Sequence, residues 1–285
     1  MSQEINSLSR LVSLEDRDFQ RLSTFIMNHY GIKLPPAKKT LVQCRLQKRL
    51  KAYNMSNFGD YIDFLFSSAG REKELSNMIN EICTNKTDFF REPVHFDFLS
   101  QTGLKEYLSK TGKRSLSVWS AGCSSGEEPY TIAMTLREYA RLEHYIDFTI
   151  VATDISTKVL QVGMQGIYNE EKISMIPHGI KKEYFLKGKN SYSQQVRVNS
   201  DLRKAVNFQQ FNLLSSDYTI FGMFDIIFCR NVLIYFERAI QYSIIQKLCK
   251  QLNSGGYLFL GHSETTMGLI LPLKTVRPSI FIKTD

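Results

Sequence analysis

Apolar residues fall in two different rhythms along the chain. Up to about residue 80 they recur every three or four positions. FQRLSTFIMNHYGI ends in a glycine stop at Gly31, and Pro35-Pro36 breaks the chain. AKKTLVQCRLQKRLKAYN then places Leu41, Cys44 (or Arg45), Leu46, Leu50 and Tyr53 roughly on one side. FGDYIDFLFSS and REKELSNMINEICT read as two further helices. From about residue 115 short apolar runs alternate with longer amphipathic ones. SLSVW, DFTIVATD, FDIIFCR and GYLFLGHSE suit buried parallel strands. EEPYTIAMTLREYARL, STKVLQVGMQG and ERAIQYSIIQKLCKQLNSGG are the helices between them, the last closed by Gly-Gly. This alternation predicts a doubly wound α/β sheet with ligands beyond the carboxyl ends of its strands. Residues 167–208 interrupt it. KEYFLKG, QQVRV and KAVNFQQ there read as short antiparallel strands of a small insertion, and the closing TVRPSIFIKTD as a last antiparallel edge strand. There is no internal repeat.

Composition narrows the setting. The 285 residues, 43% hydrophobic, suffice for one or two domains. The polar, mixed-charge start MSQEINSLSRLVSLEDRDF is no signal peptide, and no run approaches the ~18 apolar residues that span a bilayer. Five cysteines (Cys44, Cys83, Cys123, Cys229, Cys249) form no CxxC pair, and five scattered histidines give no metal spacing. A reduced, cytoplasmic protein without a metal is expected. The net charge of +8 is concentrated. Residues 19–59 carry Arg21, Lys33, Lys38, Lys39, Arg45, Lys48, Arg49 and Lys51, and no acid. Such a surface points to an acidic partner unless it is a plain solvated helix face.

Between the run SLSVW and the next helix stands Ser120-Ala-Gly-Cys-Ser-Ser-Gly-Glu-Glu-Pro-Tyr130. Gly122 and Gly126 match neither the dinucleotide fingerprint nor a P-loop. Glu127 and Glu128 occupy the positive end of the helix, where they would repel a pyrophosphate, so NAD and ATP are disfavoured. Ser124 with Glu127 and Ser125 with Glu128 each fit a capping box, which explains both glutamates without a ligand. The alternative is a cofactor carrying positive charge beside a nucleoside, and S-adenosylmethionine has that chemistry. Asp154, ending DFTIVATD, is placed to bond ribose hydroxyls or to cap STKVL, a task Ser156 serves equally. Neither Glu128 nor Asp154 has a pairing cation nearby in sequence.

NKTDFFRE, SSGEEPY and FCRNVLIYF, together with ATDIS, GIY, FNLL and GYLFLGHSE, resemble the chemotaxis-receptor glutamate methyltransferases, the CheR family, over nearly the whole chain. The resemblance implies a class I methyltransferase, a doubly wound Rossmann-like sheet with a small antiparallel β insertion, preceded by an all-helical domain. Its bounds would be a basic, receptor-facing helical domain over 1–83, a linker carrying cofactor-site residues over 84–95, and the methyltransferase domain over 96–285. It implies methyl transfer from S-adenosylmethionine to receptor glutamates, giving methyl esters in sensory adaptation, with S-adenosylhomocysteine as by-product. By matched position Asn85, Thr87, Arg91, Glu128, Asp154, Asn212, Leu213, Arg230 and Asn231 line the cofactor site. Arg91 and Tyr235 lie near the transferred methyl. The partner is an acidic coiled coil met by Arg45, Lys48, Arg49 and Lys51, of which Arg45, Lys48 and Arg49 share a helical face. No nucleic acid, membrane insertion or oligomer is implied. Members of the resembled family that grip a receptor tether peptide with this insertion have a glycine-rich bend; here the bend KGKNSYSQQ holds only Gly188, so that grip is not expected.

A glutamate, with a reference pKa near ~4.3, is already ionised at neutral pH and needs no general base. His262 is therefore expected to be structural. Two rival readings remain open to the sequence: a nucleic-acid methyltransferase, suggested by a pI near 9.1, and a binding module that keeps the fold without transfer. The first lacks a proline-aromatic motif after FDIIF, where Arg230-Asn231-Val232-Leu233 stands instead.

Overall fold

The structure is a computed structural model, in which residues 11–142, 146–266 and 268–284 are described. Its contacts divide into two compact units, Met1–Thr84 and Asn85–Asp285. Among the described residues no helix is long and apolar enough to cross a membrane.

The first unit is helical: α1 (Asp16–Tyr30), α2 (Lys39–Ala52), α3 (Phe58–Phe66), α4 (Ser68–Lys73) and α5 (Leu75–Ile82). Gly31 closes α1 at φ 68°, as its position predicts. REKELSNMINEICT was expected to be one helix, but the chain breaks at Glu74 between α4 and α5. The reason is electrostatic. Glu74 is completely buried and takes Arg49 of α2 on both oxygens (2.7 and 2.5 Å) and the Tyr61 hydroxyl (2.8 Å).

That contact revises the basic face of α2. Three cations of the row expected to face an acidic partner also make contacts around α5. Arg45 donates to the Ile82 carbonyl (2.6 Å) at the negative end of α5, Lys48 pairs with Glu81, and Arg49 is committed to Glu74. Lys48 and Lys51 are the exposed members of the row, whereas Arg45 and Arg49 are partly buried.

The second unit opens with α6 (Val94–Phe98), a π-turn over Leu99–Gly103 and α7 (Leu104–Thr111). Strands and helices then alternate: β1 (Ser115–Ala121), α8 (Glu127–Leu142), β2 (Asp147–Asp154), α9 (Thr157–Gln165). A small sheet follows, β3 (Ile167–Asn169), β4 (Phe185–Lys187) and β5 (Gln195–Val198), with α10 (His178–Tyr184) inside it. After α11 (Ser200–Lys204) come β6 (Val206–Gln210), β7 (Phe224–Cys229), α12 (Arg238–Gln251), β8 (Leu252–Leu260), β9 (Leu273–Arg277) and β10 (Ile280–Lys283). The main sheet has the order β6-β2-β1-β7-β8-β10-β9, parallel from β6 to β8 and antiparallel beyond. All six residues of β7 are buried, as a strand covered on both faces requires.

Three expectations change in detail. KAVNFQQ does not belong to the antiparallel insertion: its β6 pairs parallel with β2, Ile150 opposite Val206, as an edge of the main sheet. The small antiparallel sheet therefore ends at Val198. The closing segment forms a hairpin, β10 on β8 and β9 outside it. Gly255-Gly256 do not close α12, which stops at Gln251. They lie inside β8, where its register with β7 shifts.

Breaking the α2–α5 ion pair from its two ends should have unequal effects. Arg49→Ala strands the buried Glu74 and should lower stability by roughly 3–5 kcal/mol. Glu74→Ala leaves an arginine that can turn to water, and should cost less. Urea unfolding of both variants checks the order; equal, small losses would contradict it.

Candidate active site

Every element that ends a parallel strand delivers a side chain to the same edge of the sheet. β1 runs into the Gly122–Gly126 turn, β2 ends at Asp154, β6 leads to Asn212, β7 to Arg230 and Asn231, and β8 to Gly261 and Glu264. This is the crevice where open α/β sheets hold ligands.

The glycine turn is shaped by its own chain. Gly122 and Gly126 have φ of 82° and 96°, closed to most side chains. A Cβ on Gly122 would meet Val232 at 3.1 Å, and one on Gly126 would meet the Gly163 backbone and the Tyr168 hydroxyl at 2.9 Å. Neither capping box forms. The Ser124 hydroxyl donates to the Asn85 carbonyl (2.9 Å), and Ser125 bonds Glu127 (2.6 Å), which meets Lys172 at 3.3 Å.

Glu128 turns into the crevice. It accepts from the Ser120 hydroxyl (2.7 Å) and from Arg230 Nη1 (3.1 Å). No cation near Glu128 in sequence pairs with it; its partner Arg230 lies 102 positions away. Burial pushes its pKa up, and Arg230 and Ser120 oppose that. Asp154 is also buried and also pushed up by burial, against N–H donation from Ser156 and Ser124 (each 2.9 Å). It is not the cap of α9; Ser156 accepts from Val159 there (3.5 Å). Asp154 instead ties the end of β2 to the glycine turn.

Arg230 is the hub. Its side chain is 2% exposed. Nη2 donates to Glu92 Oε2 (3.0 Å) and to the Arg91 carbonyl, Nη1 to Glu128, and its cation lies 5.3 Å from the Phe96 ring centre. Glu92 also accepts from Asn231 Nδ2 (3.1 Å). Burial alone would raise the pKa of Glu92, but Asn231 and Arg230 outweigh it and hold the carboxyl below its usual range.

The NKTDFFRE stretch borders this hub. Phe89 packs edge-on against Tyr168 and Phe185 (5.1 and 5.4 Å), and the Phe90 amide donates to Thr131 of α8 (3.2 Å). Thr87 is partly buried, its carbonyl accepting from Lys172 (2.7 Å). Arg91 is exposed, with one guanidinium N–H on the Lys86 carbonyl (3.1 Å). Asn212 folds its side chain back onto the Leu214 amide (2.9 Å), and Leu213 is buried. Tyr235 ends the helical turn Leu233–Tyr235 that follows Asn231. The fold thus joins Glu128, Arg230 and Asn231, with Glu92 added, through direct bonds, and ties Asn85 and Asp154 to Ser124 of the glycine turn. Arg91 and Tyr235 stand on the segments that flank them. Lys48 and Lys51 belong to the other unit.

Sequence reasoning missed Glu92, Ser120 and Glu264. Glu92 lies inside NKTDFFRE, and its left-handed backbone (φ 54°) is a tertiary feature that no spacing announces. His95 is wholly buried beside it, and burial, with Arg230 second, lowers its pKa to about 3. Glu92, His95 and His262 bring donor atoms within 4.8 Å of one another, the one such group found among the described residues. The oxygens of Glu92 already serve Arg230 and Asn231.

A doubly wound sheet with a glycine turn, carboxylates at its β1 and β2 edges and an antiparallel last hairpin is that of a class I methyltransferase. Residues 17–83 match the CheR methyltransferase all-alpha domain, and residues 85–277 the CheR methyltransferase SAM binding domain. The chain belongs to the CheR methyltransferase family. Similar proteins include the chemotaxis protein methyltransferase of Borreliella burgdorferi, 39% identical over 274 residues, covering 94% of this chain and 95% of that one. That of Klebsiella aerogenes is 39% identical, covering 90% and 86%, and that of Escherichia coli 37%, covering 90% and 87%.

The crevice fits S-adenosylmethionine. Glu92 and Glu128 flank the Arg230 guanidinium and Asp154 holds the Ser124 amide at the end of β2, so the crevice carries carboxylates that accept cations and hydroxyls and repel phosphate. Asp154→Ala should weaken S-adenosylhomocysteine binding by roughly 1.5–3 kcal/mol, the worth of a hydrogen bond to a charged group. Calorimetric titration decides it; unchanged affinity would refute the placement of Asp154 at the cofactor.

Proposed function

We propose that this protein transfers a methyl group from S-adenosylmethionine to side-chain carboxylates of glutamates in chemotaxis receptors, in the cytoplasm, forming methyl esters. The observation that carries the reading is the Arg230 hub. Its carboxylates make a pocket for a positively charged, phosphate-free nucleoside, and its residues Glu92, Glu128, Arg230 and Asn231 all come from the three stretches that carry the family resemblance.

Bound S-adenosylmethionine supplies an activated methyl on a sulfonium. Glu128 holds the ammonium end, Asp154 the ribose hydroxyls, and Asn212 and Leu213 flank the base. Asn85, Thr87 and Asn231 line the remainder. Arg230 keeps Glu128 oriented and opposes the rise that burial gives its pKa. The acceptor glutamate is already an anion, so the protein's task is alignment, which can supply as much as ~7–11 kcal/mol. Arg91, exposed and held by one carbonyl bond, has donors left to steer that carboxylate. Tyr235 donates a hydrogen bond. Too tight an ion pair would quench the nucleophile, so Arg91 acts by positioning. No general base is required, which agrees with a neutral, buried His95 and leaves His262 outside the reaction.

The test is methyl transfer from labelled cofactor to a purified receptor, with RNA and DNA as competing acceptors. Base-labile label on the receptor is expected; label on nucleic acid alone would overturn the reading. Arg91→Ala and Tyr235→Phe should lower turnover more than cofactor affinity. Steady-state kinetics beside calorimetry separate the two effects, and lost affinity with normal turnover would reverse their roles.

The receptor's acidic coil is met by Lys48 and Lys51, the exposed cations of α2. The surface pair of Lys48 with Glu81 is cheap to exchange. Lys48→Glu with Lys51→Glu should slow receptor methylation chiefly at low salt, because the Debye length shrinks from ~10 Å at 0.1 M to ~3 Å at 1 M. Rates equal to the native protein's at every salt concentration would deprive this face of a role.

A further inference from the structure

Just after β7 the chain makes a turn that standard backbone geometry disfavours: Asn231 sits at φ 57°. The turn points successive amides at one spot, an arrangement of N–H groups that normally collects an anion from solution. Here the anion is a side chain of the same chain. Glu264, in the turn after β8, is 8% exposed. Its Oε2 accepts from the amides of Asn231 (3.0 Å) and Gly261 (2.6 Å), and its Oε1 from that of Leu233 (2.7 Å). The Val232 amide bonds it as well. Burial raises the carboxyl's pKa, and these amides oppose the rise.

The fit is close on both sides. A Cβ on Gly261 would strike the Asn231 side chain at 2.6 Å, the Asn231 amide at 2.8 Å and Glu264 Oε2 at 2.9 Å. The held segment runs from Arg230 to Tyr235, whose amide bonds the Val232 carbonyl (3.3 Å). The side chain of Asn231 is meanwhile fixed by Glu92. One carboxylate therefore braces the backbone between the buried cation and the tyrosine.

We infer that Glu264 is a positioning residue for methyl transfer: its carboxylate fills the backbone nest of Asn231–Leu233 and fixes where Asn231 and Tyr235 present their polar groups. The inference rests on the methyltransferase reading above. It requires no contact between Glu264 and the substrate.

The test compares Glu264→Gln and Glu264→Asp with the native full-length protein, each assayed well below its melting temperature. In Glu264→Gln one carboxylate oxygen becomes an amide that cannot accept. Turnover at saturating cofactor and receptor should fall by roughly 100-fold, as misplacement by about 1 Å allows, while the receptor KM stays the same. Glu264→Asp keeps the charge and should retain more activity than Gln. Affinity for S-adenosylhomocysteine should drop in Glu264→Gln. Amide proton resonances of Asn231, Leu233 and Gly261, shifted downfield by a carboxylate acceptor, should move upfield. The affinity and resonance measurements use no receptor, so they judge Glu264 even where a native protein inactive on receptors would sink the proposed function. Unmoved amide resonances overturn the inference, as does a Glu264→Gln enzyme with native turnover and affinity.

Discussion

The guanidinium of Arg230 is almost wholly removed from water at the end of β7, and burying such an ion costs several kcal/mol unless its N–H groups are matched. The two terminal nitrogens are matched from two directions, by Glu128 at the start of α8 and by Glu92 with the Arg91 carbonyl from the segment before α6, while Nε has no hydrogen-bond partner among the described residues. Three stretches far apart in sequence are thereby pinned to one charge. They are the stretches that form the crevice. The Phe96 ring lies beside the same cation and stacks on Phe228, which stacks on Phe259 of β8 (5.7 and 4.3 Å). The hydrophobic layer under the sheet edge and the polar cluster above it are held in one register.

Charge placement at the two ends of the parallel sheet follows different logic. At the amino end, Asp225 of β7 is satisfied by Tyr107, Lys113, Asn253 and the Ser117 amide; burial works against these partners, and the pKa still ends lowered. That carboxylate is fully compensated and stabilises the fold. At the carboxyl end, Glu128 and Asp154 remain pushed up by burial, short of full compensation. Groups left in that condition in a crevice are the ones a charged or hydroxyl-bearing ligand can satisfy.

The helical unit illustrates how a charge run is spent. Eight cations without an acid between residues 19 and 59 suggested a surface for an acidic partner. Folding turns Arg45, Lys48 and Arg49 towards α5, where Glu74, Glu81 and the carbonyls at the helix end meet them. The acids were present in the sequence all along, some thirty positions later, beyond the window in which the run was counted.

The alternation of periods was enough, by itself, to determine the helical first part, the doubly wound second part, and which strand ends would carry chemistry, because burial on one helical face or on both strand faces leaves its mark locally. The glycine turn with its two glutamates disfavoured a phosphate ligand for an equally local reason. Tertiary structure alone decided the partners. Glu128 became half of an ion pair, Glu92 and Glu264 became braces, and KAVNFQQ joined β2 in parallel rather than the small antiparallel sheet. A short strand's pattern does not name its neighbour, and a carboxylate's spacing does not name its donor. Pairing over more than a hundred residues depends on how the layers stack, which no local rhythm records.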